Sequence, residues 1–178
     1  EDLTERVQAE EALRESHRQM STLLANLQGM AYRCVNEPSW PMIFASDGSR
    51  EITGYSAEAL VKGQPAYAEL ILPEDREAVW HQVQAALALR EPFELTYRIR
   101  RADGTVRWVW ERGRGVYDES GNLRFLEGFV SDITARKQAE NALFQSRERL
   151  RITLESIGDA VLSTDAEGRV DYLNAVAE

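Results

Sequence analysis

FELTYRIRRADGTVRWVWERGRGVYDESGNLRFLEGFVSDI, residues 93–133, reads as three strands in succession. Phe93, Leu95, Tyr97 and Ile99 alternate with polar residues, the period of a strand with one buried face. Ala102-Asp103-Gly104 is a tight turn, with glycine available for positive φ. Residues 105–117 form the second strand, apolar on both faces around Val106–Trp110. Asp118 through Asn122 turns again, and LRFLEGFVSDI closes an antiparallel meander.

Working outward toward the N-terminus, Pro73-Glu74-Asp75 opens a helix that runs to about Leu89. Proline suits its first turn, where acidic residues complement the dipole. Val79, Val83, Ala86 and Leu87 share one face of it. Between Asp47 and Pro73, Gly48, Gly54, Gly63 and Pro65 break the chain into two or three brief helices. MAYRCVN (30–36) and MIFAS (42–46) are two short strands. They need the meander to be stable, so the expectation is a five-stranded antiparallel sheet with helices inserted after strand two, an α+β fold.

Outward in the other direction, DITARKQAENALFQS (132–146) has an earlier copy, DLTERVQAEEALRES (2–16), identical at nine of fifteen positions. A fixed self-similarity marks a structural unit. Ala9, Leu13, Ser16, Met20, Leu23 and Leu27 step by fours and threes, and Ala139, Leu143, Ser146, Leu150 and Ile157 repeat the seam. That narrow stripe reads as a coiled coil between two copies of the chain, with Leu13, Met20, Leu23, Leu27, Leu143 and Leu150 in the dimer contact. AVLSTD (160–165) and RVDYLN (169–174) then resemble strands one and two again. The expected divisions are a linker helix at 1–28, a domain at 29–133, a second linker at 134–157, and the opening of another domain at 158–178. Those last strands must pair with something, and another protomer's sheet edge is one candidate.

The balance of 21 Lys+Arg against 30 Asp+Glu leaves a net charge of −9, which argues against nucleic acid or an anionic membrane as the main partner. No apolar run approaches the roughly 20 residues of a membrane span, and no signal peptide is visible in these residues. A single cysteine, Cys34, excludes an intrachain disulfide and an all-cysteine metal site, and a cytoplasmic setting fits it best.

The element order, with ITGYS (52–56), the PEDRE helix start (73–77) and the terminal SDIT (131–134), resembles the PAS sensor domain with its PAC-type C-terminal motif. The likeness covers residues 29–136, and in part those from about 158 onward. It implies a dimeric signalling module of the kind found in bacterial histidine kinases and cyclic-di-GMP enzymes. Such a module would pass a conformational change through helical linkers to neighbouring PAS and output domains of the same polypeptide. The resemblance also allows the cytoplasmic part of a membrane-anchored sensor. The alternative is a ligand-free dimerisation or spacer segment.

PAS domains hold haem, flavin, a small metabolite or nothing, and the sequence leaves the cofactor unknown. His81 is the candidate haem ligand, but it lies about 160–200° around the helix from Val79 and Val83, which argues against haem. Cys34 is on a strand, outside any Asn-Cys-Arg-type motif, which argues against a covalent flavin adduct. Carboxylates show no metal-ligand spacing. A pocket between helices and sheet would be walled by Tyr32, Phe44, Tyr55, Val79, Val83, Tyr97, Trp108 and Phe125. A filled core is the simpler reading of aromatic residues at strand period. Trp108 and Trp110 share a face, and if it points away from the helices they would meet the N-terminal coil or a second protomer.

Glu94, Glu111 and Glu127 fall on successive strands. Without a nucleophile or a phosphate loop beside them, a cross-strand charge ladder with Arg98, Arg112 or Arg124 is expected, not catalysis. Asp132, Ile133 and Thr134 stand where the last strand becomes a helix. Asp132 or Thr134 is expected to accept from main-chain N–H groups in the first turn of that helix, or Asp132 to pair with an arginine on the neighbouring strand, so that the sheet sets the helix's exit.

Overall fold

The chain enters its sheet at β1 (Met30–Cys34) and returns as β2 (Met42–Ala45). Three short helices follow, α1 (Ser49–Thr53), α2 (Ala57–Val61) and α3 (Tyr67–Leu70), and then the longer α4 (Pro73–Leu89). β3 (Phe93–Arg100), β4 (Val106–Tyr117) and β5 (Leu123–Asp132) complete the sheet, and α5 (Thr134–Ser156) continues from it. A hairpin of β6 (Leu162–Thr164) and β7 (Val170–Leu173) comes last. This computed structural model describes residues 8, 10–12, 14–15, 28–156 and 161–173. It divides into two units, one ending at Thr134 and one beginning at Ala135. The predicted dimer-seam residues Leu13, Met20, Leu23 and Leu27 lie outside the described residues.

In the first unit the strand order is β2-β1-β5-β4-β3, antiparallel throughout, so the first and last strands meet at the centre. The hairpin β3–β4 turns at Gly104 (φ 80°), where the Asp103 carboxylate accepts from Thr105 N–H at 2.9 Å. The hairpin β4–β5 turns at Gly121 (φ 83°), where Asp118 accepts from the N–H groups of Ser120 and Asn122. In both, a short acidic side chain satisfies turn amides that the ladder leaves over.

Local chemistry also sets the helices. Ser56 Oγ accepts from Ala59 N–H at 3.2 Å, capping α2. α4 has proline in its first turn with Glu74 and Asp75, and it stops where Arg90 turns left-handed at φ 56°. Asp75 also receives the Arg98 side chain at 2.6 and 2.9 Å and the Arg98 main-chain N–H at 2.9 Å, which staples the start of α4 to the edge strand β3.

The helices cover one face of the sheet. Met30, Tyr32, Leu95, Tyr97, Ile99, Val109, Leu126 and Val130 point into the space beneath, packed with Ile52, Leu60, Tyr67, Leu70, Val79 and Val83 from above. Strand parity then sends Trp108, Trp110, Phe125 and Phe129 to the opposite face.

In the second unit, β6 and β7 pair with each other around a turn at Gly168 (φ 80°). Leu143, Leu150, Leu162 and Val170 are between 54% and 61% exposed there, so apolar surface lines both α5 and the hairpin.

Candidate functional site

Glu111 occupies the inward face of β4 and is not a member of the surface charge ladder expected from sequence. It is 7% exposed, and among the described residues it has no arginine partner. Parity explains the correction: residues 109, 111 and 113 share the buried face, and Arg112 and Arg114 take the other. Glu94 and Glu127 do stand on the outer face. Glu127 pairs with Arg33, and Glu94 lies opposite Arg112 and accepts from Trp110 Nε1 at 2.9 Å.

Three tyrosines converge on the buried carboxylate. Tyr97 Oη donates to Glu111 Oε2 at 2.6 Å, and Tyr32 Oη donates to Oε1. Tyr67 Oη lies 2.9 Å from Tyr97 Oη. An ionised carboxylate only accepts, so Tyr97 must give its proton to Glu111 and Tyr67 its proton to Tyr97. All three hydroxyls are then satisfied in one direction.

The backbone prepares this reach. Tyr97 is a diagonal neighbour of Glu111 on the adjacent strand, since it pairs with Val109. Tyr32 must cross the whole of β5. It pairs with Gly128, which pairs with Gly113, and a methyl group at Gly128 would stand 2.6 Å from Tyr32 Oη. Gly128 lies under the Tyr32 ring, and Gly113 leaves room for the Tyr32 hydroxyl beside the Phe93 ring.

Burial pushes the Glu111 carboxyl above the usual carboxylate range, and the bonds from Tyr32 and Tyr97 pull against that rise. Burial, and after it the Glu111 charge, likewise raises the phenols of Tyr32, Tyr67 and Tyr97 and the Cys34 thiol. Trp40, Met42, Ile71, Val79, Val83, Phe93 and Leu126 line the rest of the space, with no Lys, Arg or His. About 20 Å³ is left to the centre of a water-sized sphere. That suffices for about one water, far below the roughly 300–1,000 Å³ of small-molecule sites.

Of the predicted wall, Tyr32, Val79, Val83 and Tyr97 line this space, and Tyr55 packs against its margin. Phe44, Trp108 and Phe125 do not. Phe44 is 45% exposed, the Phe125 ring lies under the Arg33 guanidinium at 5.3 Å, and Trp108 lies under Arg98 at 5.6 Å. Glu111, Tyr67 and Cys34 were missed as lining residues. His81 is on the solvent side of α4 beside Glu77, so it does not present its ring to the cavity. Among the described residues no group of three or more His, Cys, Asp or Glu could hold a metal, and no helix is long and apolar enough to cross a membrane.

A second arrangement closes the sheet. Asp132 Oδ1 accepts from Thr134 N–H at 2.8 Å, and Arg107 of β4 approaches Asp132 at 3.7 Å. Thr134 Oγ1 accepts from Trp108 N–H at 2.9 Å, and Ile133 N–H donates to Trp108 O at 2.9 Å. Thr134 is 8% exposed. The start of α5 is therefore tied to β4 as well as to β5.

A five-stranded antiparallel sheet in this order, covered on one face by short helices and continued by a helix at Thr134, defines a sensor-type α+β module. The family model described as "PAS fold" matches residues 42–130, and the chain belongs to that family. It is 40% identical over 110 residues to the probable diguanylate cyclase DgcE of Escherichia coli K12, a match over 62% of this chain and 10% of that protein. It is 30% identical over 137 residues to the sensor protein FixL of Bradyrhizobium diazoefficiens, over 75% of this chain and 26% of the relative. The chain thus spans only about a tenth to a quarter of these relatives. Among solved structures, a sensory box histidine kinase/response regulator from Burkholderia thailandensis matches with a TM-score of 0.60 at 29% identity, covering 75% of this chain and 98% of that one. These relatives place the chain among the input modules of signalling proteins, and a PAS domain is regulatory, not catalytic.

Proposed function

We propose that this PAS domain senses and relays a signal, pairing with a second copy through its helical linkers and passing a change in its sheet to α5. The receiver is an output domain of the same polypeptide in a cytoplasmic setting. The supporting observation is the junction at Asp132–Ile133–Thr134. Three hydrogen bonds join Ile133 and Thr134 to Trp108 of β4 and Asp132 of β5, and Arg107 of β4 reaches Asp132, so a shift of those strands would displace the junction from which α5 leaves. Leu143 and Leu150, seven residues apart and each more than half exposed, offer the seam for a second helix.

The test is sedimentation of the chain across concentration, together with hydrogen exchange at the start of α5. The expected result is a dimer that Leu150→Glu weakens at least tenfold, and faster exchange at residues 135–138 in Thr134→Ala. A monomer at every concentration, or exchange unchanged by Thr134→Ala, overturns the reading. The small space in the core favours one second reading, a spacer that carries a neighbour's signal without a ligand of its own. Unchanged output when the core is filled by Val83→Ile would support it.

A further inference from the structure

Glu111 is a carboxylate held in the core by phenols alone. The side chains facing it come from β1 (Tyr32, Cys34), β3 (Tyr97) and α3 (Tyr67), whereas α4 contributes only Val79 and Val83. None of these groups is cationic. A carboxylate buried without a cation is held in its charged form only by the hydroxyl protons aimed at it. The space beside it has room for about one water and for no larger guest.

We propose that this cluster is a proton-responsive switch: Glu111 takes up one proton from solvent, and the hydroxyls bonded to it reorient. The inference adds a stimulus to the relay proposed above and rests on that reading only for its downstream effect. In the ionised state the order is Tyr67 to Tyr97 to Glu111, with Tyr32 donating from the other side. Protonated, Glu111 becomes a donor and needs an acceptor among its two tyrosines. If it gives its proton to Tyr97, Tyr97 turns its own toward Tyr67, and Tyr67 must turn to a water in the remaining space. If it gives its proton to Tyr32, the Tyr32 hydroxyl loses its acceptor. No covalent bond is broken, and the charge lost is that of one carboxylate. In either case the contacts from Tyr97 on β3 and from Tyr32 on β1 across β5 lose the charge of the carboxylate on β4, and one of the two is reversed. These are the strands that carry Trp108 and Asp132, the ties to α5. Burial, which disfavours the charged form, favours uptake of the proton.

The experiment is a pH titration of the whole chain by NMR, with ¹³C-labelled glutamate carboxyls and tyrosine Cζ. The expected result is one carboxyl signal, absent in Glu111→Gln, that titrates above the ~4.3 of a free glutamate. Tyr32, Tyr67 and Tyr97 should move with the same midpoint. Glu111→Gln carries a donor where protonated Glu111 would, so it should hold the tyrosine signals near their low-pH positions at every pH. A Glu111 signal that titrates at or below the free value, or tyrosines that do not follow it, overturns the switch. Should Glu111→Gln fail to fold, the wild-type carboxyl and tyrosine signals decide alone. The relay is read separately, by exchange at 135–138 in Thr134→Ala, so either idea can fail without the other.

Discussion

Thr134 grips Trp108 at both ends of that residue's backbone: its Oγ1 accepts the Trp108 N–H at 2.9 Å and lies 3.4 Å from the Trp108 carbonyl oxygen. Residues 26 apart in sequence are thereby joined where β5 ends. Thr134→Ala should destabilise the first unit by about 1–2 kcal/mol, because a part-buried amide loses its acceptor. Thr134→Ser should retain most of that stability. Urea denaturation of the two variants checks the difference.

Gly128→Ala should cost about 1–3 kcal/mol. The added methyl would stand 2.6 Å from Tyr32 Oη and 2.8 Å from Arg112 O, and the main-chain oxygen cannot give way as a side-chain tip can. A Tyr32 displaced from Glu111 would appear as a changed near-ultraviolet circular dichroism signal in the folded variant.

The Asp75–Arg98 staple carries its own pH dependence. Hydrogen bonds from Arg98 hold the Asp75 carboxyl below the usual range. A depressed folded value contributes stability that is complete above the unfolded value of ~3.9 and is lost as pH falls below it. Asp75→Asn should therefore be less stable than wild type at neutral pH, with the gap closing below about pH 4. Thermal melts of both proteins between pH 3 and 7 provide the comparison.

Glu111 works in the opposite sense. Its folded value is raised, so the folded state binds more protons than the unfolded one above ~4.3, and stability falls as pH rises through that window. In Glu111→Gln this fall should be absent. Stability curves of the two proteins, matched for buffer and salt, test it.

Cys34 is 2% exposed and its thiol is raised by burial, so little thiolate is available to react. A thiol reagent should label the native protein only as fast as the core opens, and label it at once in denaturant. Prompt labelling of the folded chain would show that β1 opens far more readily than its central place suggests.

The fold was legible because its strongest signals are local. Phe93, Leu95, Tyr97 and Ile99 alternate cleanly, and Pro73 with two acids marks the start of α4 without help from tertiary structure. The core site was legible only in part. Period two says which residues share a face, but not which face is inside, and β4 carries tryptophans on one face and Val109, Glu111 and Gly113 on the other. Residue type alone favours the tryptophans as the buried set and leaves Glu111 to solvent. The pair of glycines at 113 and 128, whose missing side chains leave room for large rings above them, is the sequence signal that points to the correct face. Asp132 was easier to place, since a short carboxylate at a strand-to-helix transition has few other amides to serve, whereas the Thr134 hydroxyl turns back to the Trp108 amide on β4, which local sequence does not announce.

The central pairing of β1 with β5 sets Met30 opposite Val130, so the chain leaves this domain beside the point where it came in. A stretch of backbone that returns to its own doorway can be copied or excised whole without changing the distance its flanking segments must span. Tandem growth by units of one length, as the 130-residue offset between the two DxT-x-R segments suggests, is the kind of genetic history that such a geometry permits. Chains with different numbers of sensors could then share one output without redesign of the joint.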